Sequence, residues 1–291
     1  MIYPSIVSRS LIDKGWSGDL KYCVTTSNGQ RYLLRFSPED RAQRREQEFR
    51  RMQQVAQLGI AMCLPMEFGH CPEGVYAIHS WVDGSDAEAV IPTLSLQKQY
   101  AYGVDAGRML RLIHSIPAPQ ETIPWASRFG AKIDRKIASY QACPLQYAGD
   151  EAFLRYLAEN RQLLEDRPQS YQHGDYHIGN MMISNDGILT VIDFDKDDYG
   201  DPWEEFNRIV WSAQAAPSFA SGMVDGYFDG LVPVDFWKLL ALYISSNTLG
   251  SLPWAIAYGD GEVKVMRAQA AQVLAWYDDM KNVVPTWYHK P

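Results

Sequence analysis

The chain has 291 residues, of which 46% are hydrophobic and 12% aromatic, so it is long and apolar enough for two domains, or for one domain with two lobes. Charged residues make up 21% of the chain, an ordinary share that argues against extended disorder. The formal net charge is −8 at pH 7. Because nucleic-acid binding needs concentrated lysine and arginine, this balance excludes nucleic acid as an expected partner.

The cysteines and the most apolar stretch indicate a protein of a reducing compartment. The four cysteines are widely spaced, with no C-x-x-C pair, which predicts free thiols rather than disulfides or a zinc ribbon. Residues 236–258 contain Lys238 and Pro253, and we expect a buried helix there rather than a membrane span. The first residues lack the layout of a signal peptide. We therefore expect a cytoplasmic protein with no membrane partner.

The first part of the chain is rich in predicted strands. Residues 22–26 and 31–36 are β-rich runs joined by a turn that contains Asn28-Gly29, a strong hairpin signal. A helix is predicted from about residue 38 to residue 58, where Gly59 ends it. Residues 75–82 form a further predicted strand. These elements predict a small antiparallel β-rich lobe over residues 1–82.

The rest of the chain is mostly helical in pattern. Apolar residues at three- and four-residue spacing predict a helix over 94–116, and further helices are predicted at about 151–166, 202–215, 217–229, 234–250 and 263–282. Two short strands, 180–184 and 188–193, flank a turn at 185–187. The predicted class is α+β, with the small lobe followed by a larger helical lobe over 83–291.

The segment from residue 171 to residue 195 carries the most specific chemical pattern. Asp175 is followed five residues later by Asn180, and Asp193 ends the second strand of the next hairpin. The hairpin returns Asn180 and Asp193 to the same end of the ribbon. Phosphoryl transfer needs a carboxylate beside the acceptor hydroxyl and oxygen ligands for magnesium between the phosphates. This segment supplies both.

The same segment resembles the aminoglycoside phosphotransferase and choline-kinase-like branch of the protein-kinase-like fold. The matching residues are the H-G-D-x-x-x-x-N run from His173 to Asn180 and the I-D-F-D run that ends at Asp195. The resemblance implies that Asp175 is the catalytic base or orients the hydroxyl, that Asn180 and Asp193 bind Mg²⁺, and that His177 is a weaker catalytic candidate. Gly174 and Asp195 depart from the protein-kinase pattern H-R-D and D-F-G, which favours the small-molecule branch.

The resemblance also implies a nucleotide site in the first lobe, with a glycine-containing loop over the phosphates, a cation on the third strand, a helix carboxylate that orients it, and backbone groups at the interlobe hinge. Glu46 is the alternative to Glu48 for the helix carboxylate. The residues expected at the nucleotide are Gly15, Ser17, Gly18, Arg35, Glu48, Ser80 and Val82. The implied cofactors are ATP, with GTP left open, and Mg²⁺.

The acceptor is less well indicated. The run from residue 193 to residue 205 is rich in carboxylates, which either form an acidic rim that attracts a cationic acceptor or are a solvated turn. Asp201 is expected to cap the helix that follows. The candidate acceptor-binding residues are Asp195, Asp198, Glu204 and Glu205.

We predict a Mg-ATP-dependent phosphotransferase that acts on a hydroxyl of a small, polar, cationic molecule, with an aminoglycoside or another antibiotic favoured. One alternative is a kinase of choline, a sugar or an amino alcohol. Another is a catalytically silent nucleotide-binding module, suggested by the degenerate phosphate loop and by Arg35 in place of lysine. The spacing His173-x-Asp175-x-His177 also allows a metal hydrolase.

Overall fold

The computed structural model describes residues 1–13 and 19–290. The chain divides into two compact units. Unit 1 comprises Met1–Val90, His173–Asp175 and Asn180–Asp197, and unit 2 comprises Ile91–Gln172, Tyr176–Gly179 and Asp198–Pro291. The first stretch of unit 1 ends eight residues after the predicted boundary at residue 82. Unit 1 also includes two later segments that carry the predicted chemistry. A single boundary in the sequence therefore cannot divide the chain into these two units.

Unit 1 is built on a five-stranded sheet in the order β1-β2-β3-β5-β4, with every neighbouring pair antiparallel. Its strands are β1 (Ile6–Leu11), β2 (Leu20–Thr26), β3 (Arg31–Ser37), β4 (Pro65–Cys71) and β5 (Gly74–Ser80). The predicted turn joins β2 to β3, and Gly29 has a φ of +83°, a conformation that glycine adopts without strain. Val24, Leu34 and Ile78 are the centre of a buried apolar cluster on this sheet.

Helix α1 (Ala42–Ala56) belongs to the same unit. Phe49, Met52 and Val55 are buried, and their three- and four-residue spacing places them on one face of the helix. Gly59, with a φ of +72°, follows the helix, as the sequence predicts. The short helix α2 (Ala87–Val90) ends the first stretch of unit 1.

Five further short strands are β6 (Gly84–Asp86), β7 (Ser170–Gln172), β8 (Met181–Ser184), β9 (Leu189–Val191) and β10 (Asp198–Gly200). In unit 1 they form a three-stranded sheet in the order β6-β8-β9, and in unit 2 a pair, β10-β7. The β8–β9 hairpin turns at Gly187, which has a φ of +79°. The predicted hairpin of residues 180–193 is therefore present.

The helices of unit 2 are α3 (Leu96–Ile113), α4 (Trp125–Gln141), α5 (Asp150–Asn160), α6 (Ile209–Ala215), α7 (Pro217–Phe228), α8 (Val234–Ile256) and α9 (Asp260–Trp276). Helices α3 and α7 pack closely through glycines, since a Cβ atom on Gly107 would lie 2.1 Å from the carbonyl oxygen of Met223. Helix α8 is the buried helix expected at the most apolar stretch. None of the helices in the described ranges is long and apolar enough to cross a membrane.

The α+β class predicted from the sequence is confirmed. Helix α4 was not predicted, although its buried residues Trp125, Phe129, Ile133 and Tyr140 recur mostly at four-residue spacing. The predicted helix over 151–166 is shorter, because α5 ends at Asn160 and a 3₁₀ turn continues to Leu164. The cysteines are free thiols, as expected.

Candidate active site

The loop after β7 is fixed by a buried histidine. His173 is 0% exposed, and its Nε2 lies 3.0 Å from the carbonyl oxygen of Ile192. Its Nδ1 accepts the N–H of Asp175 at 3.3 Å, so the ring proton is assigned to Nε2, which donates to Ile192. Both ring nitrogens are therefore used to tie the loop to the chain just after β9. This arrangement gives His173 a positioning role and argues against its use as a metal ligand.

Gly174 makes the approach of the loop possible. Its φ is +85°, and a Cβ atom there would lie 1.8 Å from the carbonyl oxygen of Lys196. A larger residue would be strained by its backbone conformation and would also displace the Lys196 carbonyl. The structure thus gives a steric reason for glycine between His173 and Asp175.

Asp175 and Asn180 are held against each other within unit 1. The Nδ2 of Asn180 donates to the carbonyl oxygen of Asp175 at 2.8 Å, and the carbonyl oxygen of Asn180 accepts the N–H of Ile192 at 3.0 Å. The nitrogen of the Asn180 amide therefore faces Asp175, and the oxygen of the same amide is directed away from it. The Asp175 carboxylate lies 2.8 Å from Nζ of Lys196, a contact that sequence reasoning did not find.

Asp193 and Asp195 meet two cations from the five-stranded sheet. Arg35 binds both oxygens of Asp195 through its two terminal nitrogens and lies 3.5 Å from Asp193. Nζ of Lys21 lies 3.7 Å from Asp193 and 4.0 Å from Asp195. Asp193 has a φ of +66°, which is uncommon for a residue with a side chain and is concentrated at functional sites.

The charges in this group shift one another's proton affinity. Burial and the neighbouring Asp195 raise the pKa of Asp193. Burial opposes ionisation of Asp195 too, but the bonds from Arg35 outweigh it and lower the pKa of Asp195. Burial would lower the pKa of Arg35, yet Asp195 and Asp193 raise it above its ordinary value. The Arg35–Asp195 pair is therefore fully ionised near neutral pH.

The donor set fits a magnesium ion. The Asp193 carboxylate and the Asn180 amide oxygen are hard oxygen ligands, and the Asp193 side chain is 34% exposed. Mg²⁺ keeps several waters and usually takes only one or two protein carboxylates. In the described part of the chain, no group of three His, Cys, Asp or Glu residues is placed to hold a metal. A magnesium site with one carboxylate and one amide oxygen does not require such a group.

Arg35 is oriented by a different carboxylate from the one expected. Asp19, whose side chain is 1% exposed, lies 3.1 Å from Arg35 and 2.7 Å from Arg45. Glu48 instead binds Arg44 at 2.7 Å and Arg45 at 2.6 Å, and among the described residues it makes no ion pair with Arg35. Asp19 takes this place because it immediately precedes β2, the strand that pairs with β3.

The alternative carboxylate, Glu46, is paired on the surface with Arg50 at 2.7 Å. Lys21 was missed as well, although a signal was available. The predicted turn at Asn28-Gly29 fixes the hairpin register, in which Lys21 lies opposite Arg35.

The remaining nucleotide-site predictions are only partly described. Gly15, Ser17 and Gly18 lie outside the described residues. Ser80 ends β5, where its N–H donates to the carbonyl oxygen of Leu64 at 2.8 Å and its hydroxyl accepts the N–H of Leu64 at 2.7 Å. Val82 follows two residues later and is partly buried. Ser80 also lines a cavity of about 450 Å³ within unit 1.

The structure places His177 in unit 2, where its Nδ1 accepts the N–H of Gly179 at 3.1 Å.

The predicted acceptor residues each have a basic partner. Asp195 binds Arg35, Asp198 lies 3.2 Å from Arg128, Glu204 lies 3.2 Å from Lys132, and the buried Glu205 lies 3.5 Å from His114. Asp201 accepts the N–H of Trp203 at 2.9 Å, but the 3₁₀ turn Glu204–Arg208 has Trp203 at its N-cap and no side-chain cap bond, so the cap expected at Asp201 is not formed. The Asp201 carboxylate also binds Arg167 and Tyr243, each at 2.6 Å.

Several solved structures with the same fold are named as phosphotransferases or kinases of small molecules. A thermostable mutant of an aminoglycoside phosphotransferase has a TM-score of 0.66 at 16% identity and covers 94% of this chain and 95% of its own. A macrolide 2′-phosphotransferase from Brachybacterium faecium has a TM-score of 0.66 at 15% identity over 90% of this chain and 91% of its own. A choline/ethanolamine kinase family protein from Mesorhizobium loti has a TM-score of 0.63 at 16% identity, covering 94% and 91%.

Residues 8–237 match the model of the phosphotransferase enzyme family, and the chain belongs to that family. No curated protein sequence gives a significant match. The resemblance drawn from residues 173–195 is confirmed by the family match, and so is the prediction of a small-molecule phosphotransferase.

Proposed function

We propose that this enzyme transfers the γ-phosphoryl group of Mg-ATP to a hydroxyl of a small polar molecule. The proposal is carried by the hydrogen bonds that group Asp175 and Asn180 with the loop of Asp193. His173 bonds to Ile192, and Asn180 bonds to both Asp175 and Ile192. In this proposal Asp175 is the base, and the side-chain oxygens of Asn180 and Asp193 are the metal ligands, which together meet the minimum that phosphoryl transfer asks of a protein.

Asp175 would accept the proton of the acceptor hydroxyl, or orient that hydroxyl for attack. Nζ of Lys196 lies 2.8 Å from this carboxylate, and its 56% exposed side chain leaves it free to move when an acceptor binds. Asn180 and Asp193 would hold the magnesium ion, which neutralises charge on the phosphates when bound. These roles need no covalent enzyme intermediate.

We assign two cations, Arg35 and Lys21, to the nucleotide phosphates. Arg35, with a 9% exposed side chain and three carboxylate neighbours, is held rigidly, and its planar fork suits phosphate oxygens. Lys21 is more loosely held, at 3.7–4.0 Å from Asp193 and Asp195, and can turn toward phosphate as a point charge. We propose that Lys21 shares with Arg35 the role assigned to Arg35 from the sequence.

For the acceptor, the sequence favours a cationic antibiotic, and several structures with the same fold are named for antibiotics, including an amicoumacin kinase solved with AMP-PNP and Ca²⁺. The choline/ethanolamine kinase family protein supports the alternative of a choline or amino-alcohol kinase. The predicted acidic rim stays a prediction, since Asp198 and Glu204 have basic partners inside the protein.

The test is ADP release with Mg-ATP across a panel of hydroxyl acceptors that includes hygromycin B, an amicoumacin, a macrolide and choline. We expect one acceptor class to raise ADP release, and Asp175→Asn to lower kcat by about 10²–10⁴-fold. The matched control is Asp186→Asn, at an exposed turn position of the same unit, which should change the rate by less than about twofold.

Magnesium-independent ATP binding with no turnover on any acceptor would refute the proposal in favour of a silent nucleotide-binding module. Turnover that survives in Asp175→Asn would refute the assignment of the base.

A further inference from the structure

Three acidic residues alternate along the segment that follows β9, namely Asp193, Asp195 and Asp197. Arg35 on β3 binds Asp195 through both of its carboxylate oxygens. Asp197, two residues further on, is bound by a second arginine, Arg51 of α1. The segment is therefore held by one arginine from the five-stranded sheet and by another from the helix of the same unit.

The pair of Arg51 and Asp197 is bidentate and largely buried. Nε and one terminal nitrogen of Arg51 donate to different oxygens of Asp197, the terminal nitrogen at 3.0 Å. The Asp197 side chain is 1% exposed and the Arg51 side chain is 24% exposed. Two parallel bonds fix the direction of a carboxylate as well as its distance, so the pair holds the end of the acidic segment in one orientation.

Arg51 reaches this position because it lies on the buried face of α1. It precedes the buried Val55 by four residues, a spacing that places two side chains on the same face of a helix. Phe49 of the same helix packs against Phe68 of β4, with ring centroids 5.7 Å apart. Helix α1 is thus anchored to the sheet, and Arg51 connects it to Asp197.

The residue before Asp197 lies against the loop that contains Asp175. A Cβ atom on Gly174 would lie 1.8 Å from the carbonyl oxygen of Lys196, and Nζ of Lys196 lies 2.8 Å from the Asp175 carboxylate. The Lys196 carbonyl belongs to the planar peptide group that joins Lys196 to Asp197. Fixing Asp197 therefore also limits where this carbonyl lies.

We propose that Arg51 and Asp197 are positioning residues for Asp175. The pair holds the Lys196 carbonyl against Gly174, and this contact sets the position of the loop that carries the base. The inference rests on the proposed phosphotransferase function, in which Asp175 is that base. It gives α1 a role in the site that the sequence did not predict.

Stability alone is a poor explanation for a buried ion pair of this kind. Removing two charges from water costs as much as their attraction returns in many proteins, so apolar residues of similar size often replace such a pair without loss of stability. Apolar residues cannot supply the fixed orientation of a carboxylate bound at both oxygens. Neutralising the pair should therefore change the geometry of the Asp175 loop more than it changes overall stability.

The experiment neutralises both partners in one chain, as Arg51→Met with Asp197→Asn. Changing both avoids the buried unpaired charge that a single substitution would leave, so this variant should fold, and urea unfolding checks that it does. The matched control is Arg50→Met with Glu46→Gln. That ion pair is on the same helix at 2.7 Å, but its side chains are 70% and 47% exposed.

The first readout is amide hydrogen exchange of the full chain, measured by mass spectrometry on peptides that cover residues 173–175 and 195–197. The Arg51–Asp197 variant should exchange at least about tenfold faster in both segments, and the control should stay within about twofold of the wild type. Unchanged exchange over residues 173–175 would overturn the proposal. This readout needs no turnover, so a failure of the phosphotransferase proposal is seen separately.

The second readout is a double-mutant cycle with Asp175→Asn, in Mg-ATP and an acceptor from the panel above. With Asp175 present, neutralising the pair should lower kcat at least about tenfold and leave the KM for ATP within about twofold. In the Asp175→Asn chain it should lower kcat by less than about twofold, because the base that it positions has been removed. An equal loss in both chains, or a change in KM alone, would reveal a general structural effect and overturn the proposal.

The two proposals fail in different ways. If every acceptor in the panel gives no turnover, the phosphotransferase proposal is refuted. Hydrogen exchange then decides by itself whether the ion pair holds the loop of Asp175.

Discussion

Replacing Arg35 with methionine tests whether the cation beside Asp193 is held by a buried ionic network. The Arg35 side chain is 9% exposed, and its partners Asp19 and Asp195 are 1% and 16% exposed. Removing one partner of a buried ion pair costs about 3–5 kcal/mol, because the remaining charge is left unpaired. Methionine preserves most of the apolar stem, so the loss reports mainly on the charge.

The expected loss lies near the lower end of that range. Asp19 keeps a partner in Arg45 at 2.7 Å, and Asp195 keeps Lys21 at 4.0 Å, so each carboxylate retains some compensation. We expect Arg35→Met to lower the free energy of unfolding by about 3 kcal/mol at pH 7.5. Because Arg35 lowers the pKa of Asp195 below its ordinary 3.8, this contribution is present above that pH and is lost as the pH falls through the folded value.

The assay is urea unfolding followed by tryptophan fluorescence, with Arg50→Met as the matched control. Arg50, like Arg35, pairs with a carboxylate, here that of Glu46 on α1 at 2.7 Å, but the Arg50 side chain is 70% exposed. The loss of this pair should therefore cost less than about 0.5 kcal/mol. A cost for Arg35→Met below about 1 kcal/mol, or one equal to the control, would refute the view that this network is buried and cooperative. Calorimetry on the same proteins should show weaker Mg-ATP binding for Arg35→Met alone.

Two further predictions concern the loop that contains Asp175 and helix α4. Gly174→Ala places a Cβ atom 1.8 Å from the Lys196 carbonyl oxygen at a residue with a φ of +85°. Steady-state kinetics should therefore show a lower kcat, with the KM for ATP nearly unchanged. An unaltered kcat would contradict the steric argument. Burial lowers the pKa of Lys136 on α4 to about 7, so Lys136→Met should raise the free energy of unfolding at pH 7 by about 1–3 kcal/mol. Between about pH 7 and 10.5 the folded state binds fewer protons at Lys136 than the unfolded state does, so wild-type stability rises with pH in that window. The stability gain from Lys136→Met should therefore shrink over the same window. A gain that stays constant with pH in urea unfolding would refute this.

Local sequence was enough to predict the parts of the site that lie close together along the chain. Asp175 and Asn180 lie in one loop, and the turn at 185–187 brings Asp193 back beside Asn180. The Asn28-Gly29 turn likewise determined the β2–β3 hairpin. In each case a short connection with a defined turn leaves one sensible register.

Helix α4 was missed for a different reason. Its apolar residues at 125, 129 and 133 have helical spacing, but they alternate with charged residues, and the helix begins directly after Pro124. The signal was present and weak.

What only the tertiary structure decided is which charge meets which. Arg35 pairs with Asp195 across 160 positions of sequence, and nothing local distinguishes Asp19 from Glu48 as its second partner. Ion pairs of this kind depend on how separate strands and loops pack, and side-chain types alone allow many pairings. The sequence by itself determined the fold class, the family and the three-residue motif of Asp175, Asn180 and Asp193. The structure decided that Asp19 and Lys21 complete the charge network, because the hairpin register and the packing of distant segments place them there.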